Sequence, residues 1–230
     1  CSALAQAFDQ VGAVPPDLDD PDLFARTFGA VQAMVEEGLL LAYHDRSDGG
    51  LFVTLVEMAL GGRIGARIDL GRASADAPAS LFAEELGAVL QVAEPNAGRV
   101  RAILGEYGLT DIARELGEVA PGNGSAGGQA ELEMAAGGRV LYRASLVGLA
   151  RQWSELTYQM QRRRDNPACA REEYDALLDA ADPGLQFKLT FDPAENPLNV
   201  SDSRPRVAVL REQGVNGHVE MAAAFDRAGF

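Results

Sequence analysis

The stretch LLLAYHDRSDGGLFVTLVEMALGG, from Leu39 to Gly62, decides the fold because it contains a complete strand, loop and helix. Its continuous apolar run, Leu39 to Tyr43, predicts a strand that is covered on both faces. Apolar residues then recur at helical spacing from Leu51 to Leu60, and a glycine pair follows where the helix should end. Such a unit places backbone N–H groups at a helix N-terminus, where a phosphate or carboxylate binds favourably.

The loop between this strand and this helix, His44 to Gly50, is rich in groups that can do chemistry. Asp45 is a candidate Mg²⁺ ligand, because Mg²⁺ prefers carboxylate oxygens alongside substrate phosphates. The Ser47 hydroxyl and the amides of the two glycines are candidates to hold phosphate oxygens. An ordinary turn, in which Asp48 caps the helix and the glycines supply positive φ, explains the same residues. The composition alone leaves both interpretations open.

Strands and helices alternate through the rest of the first 146 residues without a strict repeat, which predicts a mixed α/β or α+β domain. An amphipathic helix begins after Asp20, a good N-cap, with Pro21 at its first position. Further patterns predict strands over 66–70, 87–93 and 112–119, a helix over 95–107, a flexible loop over 122–128, and a hairpin over 131–135 and 139–142.

The last third of the chain predicts a helical connector and the opening of another domain. Helices are expected over 146–166 and 168–178, a short strand over 186–191, and a Pro-rich linker over 192–206. Val207 to Leu210 then predicts a buried strand, and Asn216 to Ala228 a capped helix. One strand and one helix cannot bury the face they share. We therefore expect the chain to be a piece of a longer protein.

Composition excludes several classes of function. Thirty-four acidic residues against 20 basic ones give the 230 residues a net charge of -14. That field repels nucleic acids and anionic membranes, so neither is an expected partner. No apolar run approaches the ~18 residues of a spanning helix, and two cysteines are too few for a disulfide framework, so a reducing cytoplasm is expected. An anionic ligand would need metal ions or local amides to offset the charge.

The segment between the last predicted strand and helix is a candidate oxyanion turn. Gly214, Val215 and Asn216 follow a strand directly, where a tight turn can point backbone amides at a developing oxyanion. The local alternative is a simple βα turn in which Asn216 is the N-cap of the helix. From these residues alone, the simpler turn is the better interpretation.

Long segments of the chain resemble the large, single-chain phosphoribosylformylglycinamidine synthases of purine biosynthesis. They are LAYHDRSDGGLFVTLVEMALGG (41–62), ELGAVLQV (85–92), TYQMQRRRDNP (157–167), DPGL (182–185) and RPRVAVLREQGVNGHVEMAAAFDRAGF (204–230). They follow the order of that family and spread over the whole chain. Aminoimidazole ribonucleotide synthases share the His-Asp-x-Ser loop, but no glutaminase opening follows it in them.

The resemblance implies a fold in three parts. Residues 1–146 would be a C-terminal subdomain like that of aminoimidazole ribonucleotide synthase, and 147–203 a helical connector and linker. Residues 204–230 would be the first strand and helix of a flavodoxin-like class I glutaminase domain. The implied reaction is ligation with glutamine as nitrogen donor: formylglycinamide ribonucleotide, glutamine and ATP give formylglycinamidine ribonucleotide, ADP, phosphate and glutamate. The full-length protein would be a cytoplasmic monomer.

The resemblance also implies roles for individual residues. Asp45 would be a Mg²⁺ ligand, Ser47 a contact to an auxiliary ATP or ADP, and Gly214 to Asn216 a turn near the acyl intermediate of the glutaminase. The catalytic Cys, His and Glu of the glutaminase are expected beyond Phe230, so no catalytic residue is assigned here, and neither Cys1 nor Cys169 is one. The alternative is a structural and coupling module that carries the auxiliary nucleotide site and has no activity alone.

Overall fold

The computed structural model describes residues 2–71, 76–120, 130–179, 181–182, 184–185, 187–194 and 203–230. The chain divides into two units, Cys1–Asp182 and Pro183–Phe230. The predicted flexible loop over 122–128 lies outside the described residues. Among the helices that are described, none combines the length and the apolar character that crossing a membrane requires.

The elements of the first unit alternate between helix and strand. In chain order they are α1 (Ala3–Ala7), α2 (Pro21–Glu36), β1 (Leu40–Asp45), α3 (Gly50–Gly62), β2 (Gly65–Asp69), α4 (Ala77–Phe82), β3 (Ala88–Val92), a 3₁₀ turn (Glu94–Asn96), α5 (Ala97–Glu106), β4 (Gly117–Ala120), β5 (Glu131–Ala136), β6 (Arg139–Ser145), α6 (Leu146–Arg164) and α7 (Pro167–Ala176). In the second unit, α8 spans His218–Arg227.

The strands form two sheets. Strands β1 and β3 make an antiparallel pair in which Tyr43 lies opposite Leu90. The other sheet has the order β4-β2-β5-β6; β2 runs parallel to β5, whereas β4 and β6 run antiparallel to their neighbours. This mixed topology confirms the predicted α/β (α+β) class.

Each sheet has its own hydrophobic core. Helices α2 and α5 cover one face of the β1–β3 pair, and the side chains of Met34 and Ile103 between them are fully buried. Helices α3 and α6 cover the larger sheet, where Leu132 and Met134 of β5 are fully buried. Because α3 follows β1 directly but packs on the other core, the loop between them lies where the two cores meet.

The prediction that β1 is covered on both faces is wrong. Burial alternates along β1, and the side chains of Leu41 and Tyr43 are 63% and 50% exposed. An apolar run does not distinguish a strand buried on both sides from one in an antiparallel pair with an exposed apolar face, since coverage depends on distant elements.

Three other strand predictions also need correction. Of the stretch 112–119, only residues 117–119 belong to a strand, β4, whereas the Ile112 amide donates to the Leu109 carbonyl in the turn after α5. Residues 187–191 and Val207 to Leu210 form no strand, and Leu210 is 86% exposed. A parallel strand depends on neighbours for its hydrogen bonds, and the described residues of the second unit supply none. Helix α4, which the sequence did not predict, begins at the N-cap Asp76.

The helices predicted as a connector are part of the first unit. Tyr158 of α6 and Tyr174 of α7 stack with centroids 4.3 Å apart and planes within 2°. The Arg151 guanidinium lies 3.5 Å from the Tyr174 ring centroid and also donates to Asp175. This cluster fixes the two helices against each other.

Candidate functional site

The candidate site is the loop between β1 and α3. Its backbone turns through Gly49 and Gly50, whose φ angles are +83° and +65°. A Cβ at Gly50 would lie 2.7 Å from the Leu81 carbonyl oxygen and 2.9 Å from that of Ala83. Only glycine therefore fits both the left-handed conformation and the space between the loop and the end of α4.

One face of α3 holds the carbonyl group that ends β1. The Asp45 carbonyl oxygen accepts from the Thr54 hydroxyl at 3.3 Å and lies 2.6 Å from Nδ1 of His44. Thr54 is buried, and its hydroxyl also donates to the Gly50 carbonyl at 3.0 Å. The start of the loop is thus fixed by hydrogen bonds inside the protein.

Glu57, one helical turn after Thr54, joins the same network. Its Oε2 lies 3.0 Å from Nε2 of His44, and its Oε1 accepts from the indole Nε1 of Trp153 at 3.4 Å. The carboxylate is therefore shared between the residue before Asp45 and a residue of α6.

Residues before β3 hold the middle and the end of the loop. The Arg46 guanidinium donates to the carbonyl oxygens of Glu85 and Leu86, and burial lowers its pKa below the ordinary value. Oε1 of Glu84 accepts from the amides of both Gly49 and Ala3, each at 2.7 Å. Since the Gly50 amide donates to the Ser47 carbonyl, both glycine amides that were predicted to hold phosphate are bonded within the chain.

The side chains of Asp45 and Ser47 remain exposed beside these fixed groups. The Asp45 carboxylate is 68% exposed at the end of β1. No group of three or more His, Cys, Asp or Glu side chains in the described part of the chain is arranged to hold a metal ion. One exposed carboxylate, with its Oδ1 3.9 Å from Nδ1 of His44, suits the way Mg²⁺ binds when phosphates and waters supply its other ligands.

Asp48 and Asn216 do not have the capping roles considered above. The N-cap of α3 is Gly49, and that of α8 is Gly217; neither makes a side-chain capping bond. In the candidate oxyanion turn, Gly214 has φ +85° and the Val215 amide donates to the Glu212 carbonyl at 3.1 Å. That amide thus serves the turn itself.

Sequence reasoning missed Glu57, Glu84 and Trp153. Glu84 had no recognisable partner in the sequence, because its two donors lie 81 and 35 residues away. Glu57 carried one local signal, its position three residues after Thr54 on the same helical face. Trp153 carried none.

Comparison with known families agrees with this fold. A model described as "AIR synthase related protein, C-terminal domain" matches residues 2–128, more than half of the chain. The chain belongs to this family. A second model, described as a CobB/CobQ-like glutamine amidotransferase domain, matches residues 204–230. A domain of the first kind followed by a match of the second kind confirms the order that the resemblance predicted.

Solved structures from Thermotoga maritima are also similar. PurL complexed with FGAR is 20% identical, with 54% of this chain and 20% of that chain covered and a TM-score of 0.45. PurLQS is 19% identical, covering 61% and 23%, with a TM-score of 0.46. PurL complexed with AMPPCP is 18% identical, covering 94% and 30%, also with a TM-score of 0.46. The chain spans less than a third of each of these proteins.

Proposed function

We propose that this chain is part of a phosphoribosylformylglycinamidine synthase, a ligase that makes a carbon–nitrogen bond with ammonia from glutamine. The observation that carries the proposal is the order of the two family matches, residues 2–128 and then 204–230, in one chain. A synthetase-type domain joined to an amidotransferase domain is what an enzyme needs if ammonia released in one domain is to be used in the other. The full-length protein would act as a cytoplasmic monomer.

In this proposal the whole protein carries out two linked reactions. Its glutaminase domain releases ammonia from glutamine. Its synthetase region activates the carbonyl oxygen of formylglycinamide ribonucleotide by phosphoryl transfer from ATP, which leaves ADP, and ammonia then displaces phosphate to form the amidine. Apart from the turn at Gly214 to Asn216, the described residues would serve neither reacting centre directly. They would hold an auxiliary nucleotide at the loop after β1.

At that loop, Asp45 would hold Mg²⁺ and Ser47 would contact an ATP or ADP phosphate. Bound Mg²⁺ neutralises phosphate charge, which matters in a chain whose net charge is -14. Three features support the proposal: both side chains are exposed, the backbone beneath them is fixed by α3, and the glycine amides are already bonded. The nucleotide would therefore be bound by side chains and Mg²⁺ rather than by those amides.

The turn at Gly214, Val215 and Asn216 would lie near the glutaminase acyl intermediate. Because the Val215 amide donates to Glu212, an oxyanion role in this conformation would fall to the amides of Gly214 and Asn216.

A coupling module is the second candidate function. The stacked pair Tyr158 and Tyr174, with Arg151 against the second ring, makes α6 and α7 a rigid pair between the two family matches. Such a pair can transmit a movement, whereas a flexible linker cannot. Neutralising Arg162, Arg163 and Arg164 in the full-length protein separates the candidates, since a pure nucleotide site predicts unchanged stimulation of glutaminase activity by substrate.

The main test is retention of nucleotide by the full-length protein. Asp45→Ala and Ser47→Ala are expected to weaken retention of Mg²⁺–ADP, measured by equilibrium dialysis with and without Mg²⁺. Asp48→Ala is the matched control, because this exposed carboxylate in the same loop makes no hydrogen bond or ion pair to the described residues. Unchanged ADP retention in both variants would remove the nucleotide role.

The reaction itself is tested separately. The full-length protein should convert formylglycinamide ribonucleotide to the amidine with either glutamine or ammonia as nitrogen source, detected by mass spectrometry. The coding sequence should also continue into a G-x-C-N-G-C-Q segment, the elbow that carries the nucleophilic Cys of the glutaminase in the family it resembles, within one domain length of ~100–150 residues. A continuation without that segment would overturn the assignment.

A further inference from the structure

The carboxylate of Glu57 contacts two separate parts of the fold at once. One oxygen lies 3.0 Å from Nε2 of His44, and the other accepts from Nε1 of Trp153 at 3.4 Å. His44 is the last residue before Asp45, and Trp153 lies on α6, 96 residues after Glu57. A single side chain thus bridges the candidate nucleotide loop and the first of the two helices before the amidotransferase match.

The contacts at the loop end of this bridge are tight. The His44 ring approaches the Asp45 carbonyl with Nδ1 and Glu57 with Nε2, so the ring cannot turn without losing both contacts. The His44 and Glu57 side chains are only 26% and 32% exposed. Partial exclusion of water strengthens such hydrogen bonds relative to those on an open surface. A change in the backbone at Asp45 therefore moves the group that Glu57 holds.

The contact at the other end can adjust. Trp153 is 58% exposed and lies on a face of α6 that also exposes Leu156 and Met160. Its indole Nε1 donates to the Glu57 carboxylate. Because the rest of the ring faces outward, its position and its surroundings depend strongly on where the Glu57 carboxylate lies.

We propose that Glu57 is a positioning residue that couples the loop at Asp45 and Ser47 to α6. A ligand that binds the loop shifts the Asp45 backbone and His44, the Glu57 carboxylate follows, and the Trp153 indole changes its environment. This proposal rests on the proposed nucleotide site. It goes beyond that site because it identifies the side chain that transmits ligand binding at the loop to α6, one of the helices between the two family matches.

The chain offers its own spectroscopic probe, since Trp153 is its only tryptophan. The 230-residue chain is titrated with ADP in the presence and absence of MgCl₂. Binding is measured by equilibrium dialysis and Trp153 emission by fluorescence on the same samples. We expect Mg²⁺–ADP to shift the emission of the wild-type chain, and the shift to saturate with the same midpoint as binding.

Variants identify the residue that carries the signal. Glu57→Leu keeps a helix-forming side chain of similar length and should abolish the emission shift at saturating ADP. Glu57→Gln, which keeps one acceptor and one donor, should restore part of it. Glu36→Leu is the matched control and should keep the full shift, because Glu36 is an exposed glutamate on α2 that makes no hydrogen bond or ion pair to the described residues. Circular dichroism confirms that each variant is folded.

The outcomes separate the coupling from the nucleotide site. ADP binding with no emission shift in the wild type, or a full shift in Glu57→Leu, overturns the coupling and leaves the site intact. If the chain binds no ADP at all, the proposed nucleotide site is wrong, and the coupling is then tested without ligand. His44→Ala should shift Trp153 emission in the otherwise wild-type chain but not in the Glu57→Leu background. An equal shift in both backgrounds, or none in either, overturns the coupling in that case.

Discussion

Tyr158 and Tyr174 stack almost in parallel, with ring centroids 4.3 Å apart, and together form the centre of the contact between α6 and α7. Both rings are more than nine-tenths buried. Removing one ring should therefore loosen the two helices together. We expect Tyr158→Ala to lower the free energy of unfolding by about 3 kcal/mol, measured by urea denaturation.

Hydroxyl removal separates the ring contact from the polar one. Tyr158→Phe should be nearly neutral, because the Tyr158 hydroxyl makes no hydrogen bond to the residues that the structure describes. Tyr174→Phe should cost about 1 kcal/mol, because its hydroxyl donates to Glu155 and is bonded to the Arg151 carbonyl oxygen. Equal effects of the two Phe variants would contradict this assignment.

Replacing Gly50 or Gly61 by alanine should change the free energy of unfolding in opposite directions. Gly50→Ala forces an L side chain into positive φ and against the Leu81 carbonyl oxygen. We expect a loss of about 2 kcal/mol or more. Gly61→Ala, in the same helix with open space around the added Cβ, should instead stabilise by ~0.5–1 kcal/mol. Thermal unfolding followed by circular dichroism compares the two.

Asp69 should make the stability of the larger sheet depend on pH. Its carboxylate accepts from the amides of Gly71, Gly138 and Gly137, and these bonds, with Gly71 first, lower its pKa. Because the pKa of Asp69 is lower in the folded state than in the unfolded state, its ionised carboxylate stabilises the fold at pH values above the unfolded pKa of about 3.9. This stabilisation is lost as the pH falls through the folded pKa.

The test compares melting temperatures of wild type and Asp69→Asn between pH 7 and pH 3. We expect the wild type to be more stable at neutral pH, and the difference to shrink below pH 4. A difference that stays constant over the whole range would mean that the charge of Asp69 does not contribute.

The Glu84 side chain should protect the amides of Gly49 and Ala3 from hydrogen exchange, because it accepts a hydrogen bond from each. Glu84→Gln keeps one acceptor but removes the charge, and Glu84→Leu removes both, so exchange of the Gly49 and Ala3 amides should be faster in the second variant. The expected loss of stability in Glu84→Leu is about 1 kcal/mol. Glu85→Leu serves as control, because the structure shows only the backbone of Glu85, not its side chain, in a hydrogen bond to this loop. Hydrogen exchange followed by NMR measures the exchange rates of both amides.

Features that depend on neighbouring residues in the sequence were predictable. The N-cap of α2 is an example: Asp20 accepts from the Leu23 amide at 2.9 Å, and Pro21 is the first helical residue. The strand, loop and helix around Asp45 and Ser47 were also predictable, because their signals lie within 24 residues.

Features that depend on distant residues were not predictable. The exposed face of β1 follows from its pairing with β3 alone, and the absence of a strand at Val207 follows from the absence of partners in the described residues. In the candidate site, Glu84 and Trp153 act across 35 and 96 residues. No local pattern marks a side chain whose partner is that far away.

The parallel pairing of β2 with β5, described above as part of the sheet order, determines how the chain can be divided. Ala66 lies opposite Leu132, and β3, which belongs to the other sheet, lies between them in sequence. The strands of the two sheets thus alternate in the sequence from β1 to β4. A cut after β3 and before β5 leaves β2 without its parallel neighbour in the same piece. Two halves made by such a cut would have to reassemble before the larger sheet could form.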